Sequence, residues 1–451
     1  MNQKESVFSQ MPIKRAVWKL AFPSILGQII LVIYNMADTF FVSLTKSDQM
    51  ITAVAISAPA FMMLSAIANL FGIGCGGVIA RMMGGKEKEK ASAVTAFGIF
   101  TCLLFSVIYS FLIFLFLDPF VDFLGGLDEA VHIHTCRYLL VTVVFGGCIT
   151  CMNNLFAHLF RAEGYSFEAG TGIILGGVLN MILDPLFMFV ILPTGNEAFG
   201  AGIATALSNL ISLSYFLLLQ SRKDMILSFK PQKELMDSSV LRDIFATGLP
   251  ACVMTLCENL SFIVMDHILS FVSVAVQAGI GVAKKINMLA HCIVRGISQG
   301  VLPLIAYNYA SGYKQRMKDS LLYSLFVAIL LSSACMAGCE LFAAPLVGIF
   351  VPQGESFLFG IKFLRILSLG APFSACAYIL ISFFQAVGKG KSSLLLALMR
   401  KGILDIPMMY GILFFFERKQ VVWATPLTDL LCCICAVVLL NIFLKKEKLL
   451  S

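Results

Sequence analysis

Charge is scarce in this chain. Lys, Arg, Asp and Glu make up 13% of its 451 residues, against about 25% in an ordinary soluble domain. That excludes a protein whose whole surface is wetted by water. Paired-cysteine spacing is also missing. The 14 Cys lie mostly inside apolar stretches and form no CxxC…CxxC pattern, so they read as small apolar packing residues. Cys432, Cys433 and Cys435 share one apolar run that offers no further metal ligands. With 5 His in all, His132 and His134 fall in an expected outer loop and read as surface histidines, so no metal site is expected. There is no phosphate-binding glycine loop and no nucleophile beside a base, so an enzyme is not expected, nor any cofactor. Met1 to Lys19 is polar and the first apolar run is a full span, which argues against a cleaved signal peptide.

What the chain has instead is apolar length. Hydrophobic residues make up 59% and the mean hydropathy is +0.89. Twelve runs are long and apolar enough to cross a bilayer as helices, and too uniform for a barrel. They cover 18–43, 51–79, 94–117, 136–159, 169–192, 199–220, 245–271, 277–304, 320–343, 360–384, 392–416 and 421–444. The expected fold is an all-α polytopic membrane protein with the lipid bilayer as its first partner. The net charge of +7 comes from basic residues in short loops, so it is read as a topology signal and not as a nucleic-acid surface. Lys14, Arg15 and Lys19, then Arg81, Lys86, Lys88 and Lys90, and finally Lys445, Lys446 and Lys448 mark one side, whereas Asp118, Asp122, Asp128, Glu129, Glu197 and Glu355 mark the other. The bias puts both termini in the cytoplasm of a multi-pass cell (inner) membrane protein.

The two halves repeat each other. Phe22-Pro23-Ser24 is answered by Leu249-Pro250-Ala251, and Gly72-Ile73-Gly74-Cys75-Gly76 by Gly296-Ile297-Ser298-Gln299-Gly300. Arg161 to Gly164 is answered by Gln385 to Gly388, and Leu183-Asp184-Pro185 by Leu404-Asp405-Ile406-Pro407. Six spans per repeat give both halves one orientation, a parallel repeat about an axis along the membrane normal. Residues 1–221 form an N-lobe, 222–244 a cytoplasmic connector and 245–451 a C-lobe. Such lobes suit rocking around a central cavity.

Charge within spans is costly and usually kept for a pathway or coupling site. Asn180 and Asp184 stand four apart on one helix face, and Pro185 removes a backbone donor beside them. At about 1.5 Å per residue, Asp38 lies about 27 Å and Asp184 about 21 Å above the inner face, so both reach the outer half. Asn35 shares a face with Asp38, while Asn154 and Thr205 from neighbouring spans bring more oxygens. Such a set suits Na⁺, a hard ion that takes oxygen ligands. A proton needs only one buried carboxyl to ride on. A plain polar clamp between helices is the third reading of these residues.

These motifs resemble the multidrug and toxic compound extrusion (MATE) transporters along essentially the whole chain. The resemblance is carried by Asn35-Met36-Ala37-Asp38-Thr39, Arg81-Met82-Met83-Gly84, Phe160 to Gly164, Asn180 to Pro185, Gly296 to Gly300, Pro303 and Tyr307-Asn308-Tyr309. It implies export of small organic compounds, often cationic, in exchange for H⁺ or Na⁺, by a monomer working through alternating access. It also implies that Asp38, Asn180 and Asp184 form the coupling site. Glu258, eight residues after Pro250, resembles a span-seven glutamate that some members are thought to use for a cation. Those members also have an acid in span ten, where this chain has none between Phe363 and Gln385. Similar depths suggest an ion-paired cluster of Glu258, Lys284 and Asp405, and the surplus of Lys and Arg there suggests tolerance of zwitterionic or anionic substrates. Pro23, with Gly27, is expected to let span one bend. The rival transport reading is a lipid-linked saccharide flippase of the same wider superfamily.

Overall fold

The computed structural model describes residues 3–126, 128–223, 225–230 and 237–449. Among these there is no strand, and long helices follow one another with short turns. Nine helices are long and apolar enough to span a bilayer: α1 (Ile13–Leu44), α2 (Asp48–Gly84), α3 (Lys88–Leu115), α5 (Ser166–Ile191), α6 (Glu197–Arg222), α7 (Ser238–Ser270), α8 (Val274–Ala310), α9 (Lys314–Leu341) and α12 (Arg418–Lys446). Two more spans are bent pairs. α4 joins Glu129–Phe145 to Gly147–Ala162 at 48°, and α10 joins Glu355–Ser368 to Ala371–Ala386 at 46°. Helix starts follow the local sequence. Ser47 accepts from the Met50 N–H at 3.4 Å, Ser273 from that of Val276 at 3.2 Å, and Asp128 from those of Ala130 and Val131 at 3.1 Å each, which satisfies donors a helix start leaves free.

One expected span is not a single helix. The sequence predicts one run over 392–416, but the structure breaks it into Gly390–Leu398, a π-helical turn at Met399–Ile403, and Asp405–Phe415, together α11. The break coincides with buried Arg400, Lys401 and Asp405; Arg400 and Asp405 have partners on other helices, and Lys401 pairs with Asp405 across the break. A second π-helical turn, Phe187–Ile191, follows Pro185 in α5, where the missing proline donor relaxes the backbone pattern.

The repeat read from the sequence is present in the backbone. Gly164 has φ +89° and Gly388 has φ +71°, so equivalent left-handed turns end α4 and α10, positions that favour glycine. The two bent spans occupy equivalent places, and Pro23 and Pro250 both lie inside helices, α1 and α7. Six helices per half make two lobes.

The lobes meet through glycine. A Cβ on Gly296 of α8 would stand 2.5 Å from the Ile25 Cα of α1, and one on Gly300 would stand 2.5 Å from the Leu20 carbonyl oxygen. In the symmetric pair, a Cβ on Gly248 of α7 would stand 1.9 Å from the Leu70 oxygen of α2. The cross-lobe hydrogen bonds lie in the same half of the molecule. Gln28 Nε2 donates to Gln299 Oε1 at 3.2 Å, Asn69 Nδ2 to Thr255 Oγ1 at 3.1 Å, and Arg81 Nη1 to the Gln385 oxygen at 3.0 Å. Arg316 donates to the Phe8 and Met11 oxygens at 2.8 and 2.6 Å. The lobes are thus joined at the end that holds the start of α1, and no cross-lobe hydrogen bond among the described residues lies in the opposite half.

The expected connector is partly helical, since α7 already begins at Ser238. Residues 226 and 227 are pinned under the N-lobe, their N–H groups donating to Glu163 at 2.9 Å each. Pro231 and Lys233 of the connector lie outside the described residues.

Candidate functional site

Two polar centres stand inside the lobes, with a cavity between them. The N-lobe centre is built on α1, α5 and α6. Small residues let α1 and α5 touch: a Cβ on Gly170 would stand 2.5 Å from the Pro23 oxygen, and one on Gly177 would stand 2.6 Å from Ile30 Cγ2 and 3.2 Å from Tyr34 Cδ1. This approach sets Asp38 near enough to Asp184 for their charges to act on each other, and Tyr34 and Tyr138 within the field of both. Asn180 Nδ2 donates to Asp184 Oδ1 at 3.2 Å and to Thr205 Oγ1 at 3.3 Å. Asp184 and Asn180 are 0% and 2% exposed.

Three acceptor oxygens in this chamber have no hydrogen-bond donor: Asp38 Oδ1, Asp184 Oδ2 and Asn180 Oδ1. Buried acceptors are almost always satisfied, so a group of unsatisfied ones calls for an explanation. A polar clamp would use those oxygens on neighbouring donors. A chamber that takes a cation or a proton leaves them free.

Four of the expected residues therefore gather here: Asp38, Asn180, Asp184 and Thr205. Two do not. Asn35 is exposed and donates back to the Leu31 carbonyl of its own helix at 2.6 Å. Asn154 donates to the Thr150 carbonyl at 3.1 Å and lines the central cavity. Its neighbour Asn153 instead supports the chamber from below. Asn153 donates to Asn209 at 2.9 Å and accepts from Ser212 at 2.8 Å, while Asn209 donates to the Thr205 carbonyl at 2.9 Å. Asn209 and Ser212 were missed by sequence reasoning, although Thr205, Ser208, Asn209 and Ser212 form a polar stripe at helical spacing.

The C-lobe centre differs from its expected form. Glu258, Lys284 and Asp405 do not pair with one another. Arg295 Nη2 donates to Glu258 Oε2 at 2.8 Å, Lys284 pairs with Asp266, and Lys401 pairs with Asp405 at 3.3 Å. Arg400 and Asp429, 0% and 1% exposed, form a fourth pair at 3.0 Å. Depth placed the first three residues alike, but each carboxylate found a cation of different azimuth around its helix. Tyr378 links the pairs: its hydroxyl donates to Glu258 Oε1 at 3.3 Å and accepts from Arg295 at 3.2 Å, and Arg400 stacks over its ring at 4.1 Å. Ser374 joins Arg400 at 3.0 Å to His291 at 3.1 Å. Asp405 is also held by Thr428 at 2.8 Å and by Ser261. Lys284, Arg295, Arg400 and Lys401 are thus each matched by a carboxylate. Asp429 carried a visible signal, as the only charged residue between Lys419 and Lys445.

Between the lobes lies a cavity. Gln28 and Leu31 of α1 face it, as do Asn69, Arg161, Glu258, Arg295, Tyr378 and Gln385. Two buried donors on its wall, Arg161 Nη2 and Gln385 Nε2, have no hydrogen-bond partner. One face of α1 thus borders the cavity, while Ile30 and Tyr34 on another meet α5 beside the carboxylates.

Comparison with known proteins adds an independent line. A family model described as MatE matches residues 23–186 and 250–410, one stretch in each lobe. The multidrug export protein MepA of Staphylococcus haemolyticus is 25% identical over 425 residues, covering 94% of this chain and 92% of its own. A crystal structure of a MATE in complex with MaL6 superposes with a TM-score of 0.92 at 22% identity, over 99% of this chain and 100% of that one. A transporter of the MOP superfamily from Pyrococcus furiosus, reported with a reversed polarity of its binding pocket, superposes with a TM-score of 0.89 at 22% identity, over 99% of each chain.

Proposed function

This chain belongs to the MatE family, and from that premise we propose that it exports small organic compounds across the cell membrane in exchange for H⁺ or Na⁺. The observation that carries the coupling reading is the N-lobe chamber, where Asp38 Oδ1, Asp184 Oδ2 and Asn180 Oδ1 lack donors. A cation or proton entering it would offset negative charge on two carboxylates whose fields overlap in a low-dielectric interior. Binding there changes the charge beside α1, and α1 also borders the cavity. Substrate and cation thereby bias one helix from two sides, which is what coupling requires.

The basic inner loops support an orientation with both termini in the cytoplasm. In that orientation the lobes are joined on the cytoplasmic side, and the cavity would open to the outside. The cycle then breaks the glycine contacts of α1 with α8 and of α2 with α7 and remakes contact at the outer ends. Pro23, whose carbonyl abuts Gly170, supplies the weak point in α1.

The cavity wall carries both signs, Glu258 against Arg295 and Arg161. That mixture supports zwitterionic substrates beside cationic ones. Relatives named for multidrug export support a broad range of compounds.

Dye retention in cells expressing the protein tests the coupling reading. Wild type is expected to clear a cationic dye, and Asp184→Asn to retain it at the level of cells without the transporter. Clearance by Asp184→Asn at the wild-type rate would overturn the N-lobe assignment.

A further inference from the structure

Outside both centres, the turn between α3 and α4 gathers four side chains with the donor atoms of a transition-metal site. The short helix Leu117–Leu124 carries Asp118 and Asp122, and the first half of α4 carries His132 and Cys136. Each pair is spaced by four residues, which puts both members on one helix face. Gly125, with φ +100°, ends the short helix, and Asp128 caps α4 at 3.1 Å, so the turn that opposes the two faces is specified by its own sequence.

The distances suit one ion. A carboxylate oxygen of Asp118, a ring nitrogen of His132 and the Cys136 sulfur all lie within 4.8 Å of one another. Cys136 Sγ is 3.7 Å from Asp118 Oδ1 and 3.6 Å from His132 Nδ1. Tetrahedral bonds of about 2.0–2.3 Å to Zn²⁺ place ligand atoms roughly 3.3–3.7 Å apart. His132 Nε2 lies 3.4 Å from Asp122 Oδ1, the carboxylate–imidazole arrangement that fixes a metal-bound ring. Neither Asp118 nor Asp122 has a Lys or Arg within ion-pair distance among the described residues; the His132 ring lies beside both.

We propose that Asp118, His132 and Cys136 bind a divalent ion of the zinc type, with Asp122 orienting the imidazole. Thiol, imidazole and carboxylate together select borderline ions such as Zn²⁺ over Mg²⁺ or Ca²⁺, which prefer all-oxygen sets. The Cys136 thiol gives its proton to solvent as the ion binds. The ion would clip the turn onto α4, and none of its ligands belongs to the coupling chamber, so the site stands or falls independently of the transport reading.

Co²⁺ titration of the purified full-length protein tests this, because thiolate ligation to Co²⁺ gives a charge-transfer absorption band. The expected result is a saturable band equivalent to one Co²⁺ per chain, displaced by Zn²⁺ and absent in Cys136→Ser. Asp122→Asn is expected to weaken binding by roughly 10–100-fold, as loss of an orienting partner does. A band that survives in Cys136→Ser, or no saturable band in wild type, would overturn the site. Maleimide labelling of wild type, mapped by peptide mass spectrometry, gives a check that needs no variant. Zn²⁺ should protect Cys136, and unchanged labelling contradicts the proposal.

Discussion

Arg400 is fully buried in α11, and its counter-ion Asp429 stands 3.0 Å away on α12. Removing one partner leaves a bare charge in a medium that solvates it poorly, a loss of about 3–5 kcal/mol for a buried pair. Asp429→Leu should therefore lower the thermal midpoint of the purified protein sharply. Asp429→Leu combined with Arg400→Met should recover much of that loss, because no unpaired charge remains. A double variant no more stable than the single one would contradict this account of the pair. At this scale the sequence was informative about which residues are special and poor about who meets whom. Asp38, Asn180, Asp184 and Thr205 stood out as polar groups in apolar runs, and the structure gathers them. Depth along a helix could be counted from the rise per residue, but the angle around the bundle could not. So Glu258, Lys284 and Asp405 were grouped by height and found different partners. Asn35 fits the face of Asp38 in a helical projection, yet its amide is taken by the Leu31 carbonyl at 2.6 Å.

At the scale of the element, α1 and α5 can touch only because Gly170 and Gly177 lack side chains. A Cβ at Gly170 would stand 2.5 Å from the Pro23 oxygen, a backbone atom that cannot swing away. Gly170→Ala should cost about 1–3 kcal/mol through overpacking and weaken coupling by pushing α1 from α5. Gly281→Ala in α8, where nothing lies within 4 Å of the new atom, is the control and should cost nothing. Thermal unfolding of the two variants checks this, and equal losses would show that the contact carries no special weight. Helix positions were legible because apolar length is a strong signal. The break in α11 was not legible. Hydropathy averages over Met399–Asp405, and the π-helical turn arises from partners on α7 and α12 that a linear reading does not contain.

At the scale of the whole molecule, the lobes are tied in one half and parted in the other. Asn69 of α2 and Thr255 of α7 bridge them at 3.1 Å. Replacing both by cysteine and bridging them with a short thiol crosslinker should stop transport, and a cleavable linker should restore it on reduction. Transport at full rate with the bridge intact would contradict rocking of the lobes. The two-lobe plan was readable from the internal repeat, since Pro23 and Pro250, or Gly164 and Gly388, recur at one spacing. Which half of the interface is closed was not readable, because the glycines that permit close approach in this state would permit its loss in another.

The proposed coupling requires that a cation gradient acting on Asp38 and Asp184 drive export. The most direct measurement uses proteoliposomes with a fluorescent cationic substrate and one imposed gradient at a time, Na⁺ or H⁺, for wild type and Asp38→Asn. The account predicts that one gradient alone moves substrate against its concentration in wild type, and that neither does so in Asp38→Asn. Uphill transport by Asp38→Asn at the wild-type rate, or wild-type transport indifferent to both gradients, would contradict it.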